Sequence, residues 1–151
     1  MEKLSEDFLE FIRLLRSEGV SYLVVGGYAV GIHGFPRYTG DIDFFIAVSD
    51  KNAEALMRVF DQFGFGGIDL EKDDFLKPSY VVEIGREPQK IQVLTSIDGV
   101  TFEEAYANHI EIQYGGIGIK FIGRSELIRN KLASGRPKDL IDAGELKKLG
   151  Q

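Results

Sequence analysis

The sequence predicts an α/β fold, a mixed sheet of about five short strands flanked by helices. Short apolar, β-branched runs alternate along the chain with stretches of helical periodicity, and glycines, prolines and capping residues fall at the boundaries. Leu4, Phe8, Phe11, Ile12, Leu14 and Leu15 recur at helical spacing until Gly19 stops the helix. Ser21 to Val25 reads as a buried strand, broken by Gly26-Gly27, with a short helix over Tyr28 to His33. Asp41 to Val48 is the next strand, and Asp50 is expected to cap a helix running to about Phe63 with Ala53, Leu56, Met57, Val59 and Phe60 inward. Gly64 to Pro78 is Gly-rich, acidic and expected to be mostly loop. Tyr80 to Ile84 and Ile91 to Leu94 read as strands joined by Gly-Arg-Glu-Pro-Gln. Thr101 with Glu104 three residues on forms a capping box for a short helix. Glu111 to Gln113 and Ile117 to Phe121 are short strands around Gly115-Gly116. Ser125 is expected to cap a helix that Gly135 ends, and Pro137 opens a last one to Leu149.

With 151 residues, 44% of them apolar and 28% charged, the chain is read as one domain over 1–151, too apolar for disorder. No apolar run approaches the roughly 18 residues of a membrane span. The mixed-charge N-terminus does not read as a signal peptide, and a cytoplasmic location is expected. The absence of cysteine excludes disulfides, thiolate zinc sites and thiol catalysis. Two histidines leave too few soft ligands for a transition-metal cage, so any metal is expected to be hard and held by oxygen. The net charge of −6 argues against a general nucleic-acid or membrane-surface binder. That charge is uneven: residues 114–151 hold 8 Lys/Arg against 4 Asp/Glu, and residues 1–113 hold 10 against 20. The basic end suits an anionic ligand; a solvated helix face is the alternative.

Val24 to Phe45 carries the chemistry. A strand, Gly26-Gly27 and a helix follow one another, and such a turn lets backbone N–H groups approach a phosphate, although it can also be merely tight. Asp41 and Asp43 then alternate with Ile42 on a strand, which puts both carboxylates on one face about 6–7 Å apart. Two carboxylates projecting together repel unless a cation lies between them, and the pair suits Mg²⁺, which keeps waters and bridges phosphates. A solvated strand end is the alternative, opposed by the buried run Phe44-Phe45-Ile46. Arg37 offers a guanidinium for a triphosphate, or is a surface residue.

These residues resemble the signature of the DNA polymerase β-like nucleotidyltransferase superfamily, a Gly-Gly or Gly-Ser turn opening a helix and then Asp-x-Asp on the next strand. Gly26-Gly27 and Asp41-Ile42-Asp43 match it, with 13 residues between Gly27 and Asp41. The run Arg37-x-Thr39-x-Asp41-Ile42-Asp43 is similar to the stand-alone prokaryotic branch that includes AbiEii-type toxins of toxin–antitoxin pairs. That branch also carries a C-terminal helical lysine, an Arg-x-Lys-Asp and a further Asp, which Lys131, Arg136, Lys138, Asp139 and Asp142 fit. The resemblance spans roughly residues 20–145. It implies the superfamily's minimal α/β core and transfer of a nucleotidyl group from an NTP to an acceptor that is a protein, a tRNA or a small molecule. Two Mg²⁺ ions would be held by Asp41 and Asp43, with Gly26, Gly27, Arg37 and Thr39 on the nucleotide and Lys131 and Asp139 joining the catalytic set. The larger members add a C-terminal helical domain for which 151 residues leave no room, so part of the acceptor site is expected to come from a second subunit, and a homo-oligomer or a cognate protein partner is the expected company of the chain.

The sequence departs from that signature at one position. The superfamily usually supplies a third carboxylate in an Ile-Asp-Val-Leu context, and the matching tetrapeptide here is Ile91-Gln92-Val93-Leu94. Gln92 can offer a carbonyl oxygen but neither charge nor a base. Glu83 on the preceding strand could substitute if the hairpin register places it on Gln92's face, and Lys131 with Asp139 or Asp142 could compensate; the alternative is helix-surface pairing, with Asp139 and Asp142 as i, i+3 neighbours. The rival to an enzyme is therefore a catalytically silent member that binds nucleotide or a partner protein. His33 and His109 read as structural or exposed, Asp98-Gly99 as a turn, and Asp69, Glu71, Asp73 and Asp74 as an acidic surface loop. Tyr28 and Tyr38 flank the glycine turn, where they could stack on a base or pack in the core.

Overall fold

The structure, a computed structural model, describes residues 3–37, 39–65 and 69–150. Six strands build one mixed sheet: β1 (Tyr22–Val25), β2 (Ile42–Ile46), β3 (Val81–Arg86), β4 (Gln89–Leu94), β5 (Ile110–Tyr114) and β6 (Ile117–Phe121), in the spatial order β3-β4-β2-β1-β6-β5. Pairs β1–β6 and β2–β4 are parallel and the others antiparallel. The six strands are the six runs the sequence marks, one more than the round figure of about five, and the two around Gly115-Gly116 pair as an antiparallel hairpin.

The helices are α1 (Glu6–Ser17), α2 (Gly26–Ile32), α3 (Asp50–Phe60), α4 (Phe102–Ala107), α5 (Arg124–Ser134) and α6 (Pro137–Leu149). Alternation along β2 sends Ile42, Phe44 and Ile46 to one face of the sheet and Asp43 and Phe45 to the other. On the first face Phe11 of α1 packs against Phe44 at 5.4 Å and Phe60 of α3 at 5.5 Å between ring centroids. All three rings are buried, and each such side chain contributes about 1.5–3 kcal/mol on leaving water. On the second face Phe45 meets Phe102 of α4, while α5 and α6 pack against each other and bury Leu127 and Leu146. That layer stops short of β4 and β3, where Val81 and Glu83 lie exposed.

Several boundaries differ from expectation. Ser49, not Asp50, caps α3: its hydroxyl accepts from the Asn52 N–H, and Asp50 occupies the first turn. The helix ends at Phe60 and runs on as a wider turn over Asp61–Phe65. Gly123, not Ser125, caps α5: the helix starts at Arg124, Ser125 falls in its first turn, and a Cβ at Gly123 would lie 2.6 Å from the Asn108 carbonyl oxygen. The acidic loop contains a short 3₁₀ turn, Lys72–Phe75, closed by a capping box between Glu71 and Asp74. Strands β3 and β4 each run further into the connection than expected, leaving only Glu87-Pro88 between them. The Thr101–Glu104 capping box, the left-handed Gly135 after α5 and the span Pro137–Leu149 are as expected. Asp41 sits immediately before β2 and Asp43 within it.

Candidate active site

The glycine turn and the carboxylate pair are one packed unit. Gly26, the first residue of α2, has φ +69°, and a Cβ there would lie 2.2 Å from Asp43 Oδ2. A Cβ on Gly27 would lie 2.7 Å from the Thr39 side chain. Both residues are glycine because Asp43 and Thr39 occupy the space a side chain would need. Thr39 Oγ1 in turn donates to the Arg37 carbonyl oxygen at 3.3 Å. Asp41 is held by the backbone N–H of Lys90 on β4, which donates to its Oδ1 at 2.9 Å.

Asp43 is the electrostatic anomaly. Its Oδ1 is buried without a hydrogen-bond partner, a costly state for an ionised oxygen. Burial, then the neighbouring charge of Asp41, push its carboxyl up to about 7, against the opposing pull of Lys131 and Arg136 and with a further push from Glu83. A buried carboxylate beside a second one, with an oxygen left unbonded, is short of one positive ligand. The donor set is hard and anionic, so the pair fits a divalent cation of the Mg²⁺ type. Among the described residues no group of three or more His, Asp or Glu side chains converges as a metal site, so the pair has no third carboxylate at its side.

Gln92 occupies the expected place. It lies opposite Asp43 in the parallel β2–β4 register, and on its other side Glu83 of β3 lies directly opposite it. The register therefore puts Asp43, Gln92 and Glu83 in one row on one face of three adjacent strands. Gln92 Nε2 donates to Glu83 Oε1 at 3.3 Å, and Lys90 Nζ bridges Glu83 at 3.3 Å and Glu87 at 3.0 Å.

The opposite wall comes from α5 and α6. Lys131 Nζ lies 3.2 Å from both Asp139 Oδ1 and Asp142 Oδ2, Arg136 Nε bonds Asp139 Oδ2 at 2.7 Å, and Arg37 Nη2 bonds Asp142 Oδ2 at 2.8 Å. Asp139 and Asp142 are each 1% exposed, so they are not a surface pair. Burial alone would raise Asp139, but the hydrogen bonds from Arg136 and Lys131 outweigh it and hold its carboxyl below the usual range. Both Asp139 oxygens are thus engaged by cations; they position Lys131 and Arg136. Arg37 is anchored rather than loose, with its Nε buried and unbonded.

Between these walls lies a cleft of about 970 Å³. It gathers Gly26, Gly27, Arg37, Thr39, Asp41, Asp43, Lys131 and Asp139, while Glu83 and Asp142, the other two acidic candidates, lie outside its lining. Gln92, Arg136 and Lys138 also line it. Sequence reasoning missed Lys90, whose main chain holds Asp41 and whose side chain holds Glu83; a main-chain donor leaves no signal in residue type. His33 is structural, with Nε2 bonded to the Ile122 carbonyl at 2.7 Å, and burial lowers its pKa. His109 stacks on Tyr106 at the α4–β5 junction, and Tyr28 is buried edge-on to Phe8. Asp98-Gly99 is a turn at the cleft's edge. Tyr38 lies outside the described residues. No helix among the described residues is long and apolar enough to cross a membrane.

Compared by sequence, the chain matches no family model and no curated protein. Compared by structure, it is similar to solved nucleotidyltransferases and nucleotidyltransferase-like proteins. A protein of Thermotoga maritima taken to be a nucleotidyltransferase, TM1012, superposes with TM-score 0.62 at 16% identity over 93% of this chain and 88% of that one. The lincosamide antibiotic adenylyltransferase LnuA, solved with lincomycin bound, gives 0.60 at 18% over 97% and 98%. An antigenic nucleotidyltransferase-like protein from Paracoccidioides brasiliensis gives 0.58 at 17% over 97% and 77%. The chain has the minimal nucleotidyltransferase fold.

Proposed function

We propose that this protein is a Mg²⁺-dependent nucleotidyltransferase of the polymerase β-like superfamily, in the stand-alone prokaryotic branch that resembles AbiEii-type toxins. The observation that carries the reading is the buried, unbonded Asp43 Oδ1 beside Asp41, in a cleft whose far wall is cationic. Asp41 and Asp43 would hold the Mg²⁺, which neutralises charge on the carboxylates and on the phosphates during transfer. Lys90's main chain fixes Asp41, and Gly26 lets Asp43 seat against the turn. Lys131, Arg136 and Lys138 face the polyphosphate from the other side, with Arg37 and Thr39 closing the end by the glycine turn. Catalysis of this kind is mainly positioning and charge complementarity, which fixed side chains on rigid elements supply.

The acceptor that fits best is a small-molecule hydroxyl. LnuA is a lincosamide adenylyltransferase whose chain is matched over nearly its whole length, so this size of fold accommodates such an acceptor. A tRNA end or a protein side chain remains the alternative, and a cognate protein partner, a second copy of the chain and a cytoplasmic location belong to the same proposal. The second reading, a silent member that binds nucleotide, is favoured by one observation: the neutral Gln92 opposite Asp43.

Thermal unfolding with each of four NTPs, with and without Mg²⁺, tests the site. A ligand at 100 times its Kd adds about 2.7 kcal/mol, roughly 5–10 °C here. A Mg²⁺-dependent rise that disappears in Asp43→Asn is expected, and labelled-nucleotide transfer then separates enzyme from silent binder. No rise with any NTP would sink the proposal.

A further inference from the structure

We infer that Glu83 is the general base of the transfer reaction, held in place by Gln92 and Lys90; this rests on the nucleotidyltransferase reading. Nucleotidyl transfer requires that the acceptor hydroxyl lose its proton. The base must stand on the same sheet face as the carboxylate pair and on the side away from the phosphates. Asp43 belongs to the pair that would hold the cation, and Asp139 is 1% exposed with both oxygens bonded to cations, so neither is open to an acceptor. Glu83 meets the requirements. It stands in the Asp43–Gln92–Glu83 row, two strand spacings of about 4.8 Å from Asp43. Its side chain reaches inward to the Gln92 amide at 3.3 Å, and 46% of it is exposed on the part of the sheet that α5 and α6 leave open.

Lys90 ties this group to the rest of the site. Its backbone N–H holds Asp41 while its Nζ holds Glu83 Oε2, so one residue sets the distance between the pair and the base. Gln92, with its amide nitrogen engaged by Glu83, also lines the cleft. With an amide at Gln92, the carboxylate in this row beyond Asp43 is Glu83, one strand further out. In the step itself the acceptor oxygen forms a bond to the α-phosphorus. The bond from that phosphorus to the pyrophosphate oxygen breaks, and the hydroxyl proton passes to the Glu83 carboxylate, which returns it to water.

Pyrophosphate release from each of the four NTPs with Mg²⁺ is measured with water, lincomycin and total tRNA as acceptors. Wild type is compared with Glu83→Gln, Asp43→Asn and the double variant Glu83→Gln/Gln92→Asp. Glu83→Gln is isosteric and largely solvated, so it should fold and bind Mg²⁺·NTP within about threefold of wild type while release falls about 100-fold or more. The double variant, which restores a carboxylate next to Asp43, should regain at least about tenfold of that loss. Release by Glu83→Gln within about twofold of wild type would overturn the assignment while leaving the site intact. A wild type that binds Mg²⁺·NTP but is inert with all three acceptors would overturn it in favour of a silent binder. Loss of Mg²⁺·NTP binding in wild type itself would instead bring down the parent reading.

Discussion

The two walls of the cleft handle charge in opposite ways. On the α5–α6 wall two buried carboxylates and three cations are cross-bonded: Lys131 serves Asp139 and Asp142, Arg136 serves Asp139, and Arg37 serves Asp142. On the sheet wall Asp41 and Asp43 sit together, and one buried oxygen has no partner. On the first wall both carboxylates are met by cations and one positive charge is in excess, with Arg37 Nε buried and unbonded. The second is incomplete, and the same fold that satisfies one set of buried charges leaves the other waiting. A stable scaffold beside an electrostatically strained pair is the arrangement expected where binding energy from a cation and an anion is to be collected.

Removing the strain should have the largest effect. In Asp43→Asn, transfer should fall by roughly 100–1,000-fold or more, and Mg²⁺-dependent stabilisation by NTP should vanish. The same change should stabilise the metal-free protein at alkaline pH. The Asp43 carboxyl ionises at about 7 when folded against 3.8 ordinarily. Between those values the native state holds a proton the unfolded state has released, so stability falls as pH rises from about 4 to about 7 and is level above. The full penalty is roughly 4 kcal/mol. Urea unfolding in EDTA at pH 5 and pH 8 should show wild type losing stability and Asp43→Asn losing much less, with Mg²⁺ restoring wild type at pH 8. A pH-independent wild type would mean the sheet wall is not strained.

Breaking the completed wall should cost stability instead. Lys131→Met leaves Asp139 and Asp142 buried with one cation fewer each, a loss of about 3 kcal/mol or more by chemical unfolding. Opposite signs for Asp43→Asn and Lys131→Met at pH 8 are the sharpest form of the contrast. If both destabilise alike, the walls are not different in kind.

How much of this was legible depended on sequence distance. The glycine turn and the Asp pair are local, and the periodicity that names β2 also puts Asp41 and Asp43 on one face. Ser49 and Asp50 are adjacent cap-competent residues, so the α3 boundary was ambiguous by one. The Arg37–Asp142 bond joins residues 105 apart, which no local pattern reports. Glu83 lay between: its identity was visible, but whether it faced Gln92 depended on hairpin register, and a one-residue slip would have sent it to the other face. Lys131, Asp139 and Asp142 could be nominated by resemblance, yet that the two carboxylates are engaged by cations was a matter of packing.

The glycine turn offers a smaller test. Gly26→Ala puts a methyl 2.2 Å from Asp43 Oδ2 at φ +69°. The left-handed conformation alone costs about 1–2 kcal/mol, and Asp43 must also swing away from its seat. Stability should drop by about that much or slightly more, and Mg²⁺·NTP stabilisation should be lost with it. Gly27→Ala, whose methyl would meet the Thr39 side chain at 2.7 Å, should displace Thr39 and leave the Asp43 seat alone. If the two variants lose Mg²⁺·NTP stabilisation equally, displacing Thr39 costs the ligand as much as unseating Asp43.

The smallest effect isolates the α5–α6 wall from its charges. Gly144 is exposed in α6, and a Cβ there meets nothing within 4 Å. It lies two residues from Asp142, on the same rigid element but outside the ion network. Gly144→Ala should stabilise the protein by about 0.5–1 kcal/mol through helix propensity alone. Because the bonds to Lys131, Arg136 and Arg37 are already made, stiffening α6 should leave Mg²⁺·NTP affinity unchanged. Tighter nucleotide binding in Gly144→Ala, read by titration beside the thermal shift, would show that this wall is not complete at rest and orders only when the phosphates arrive.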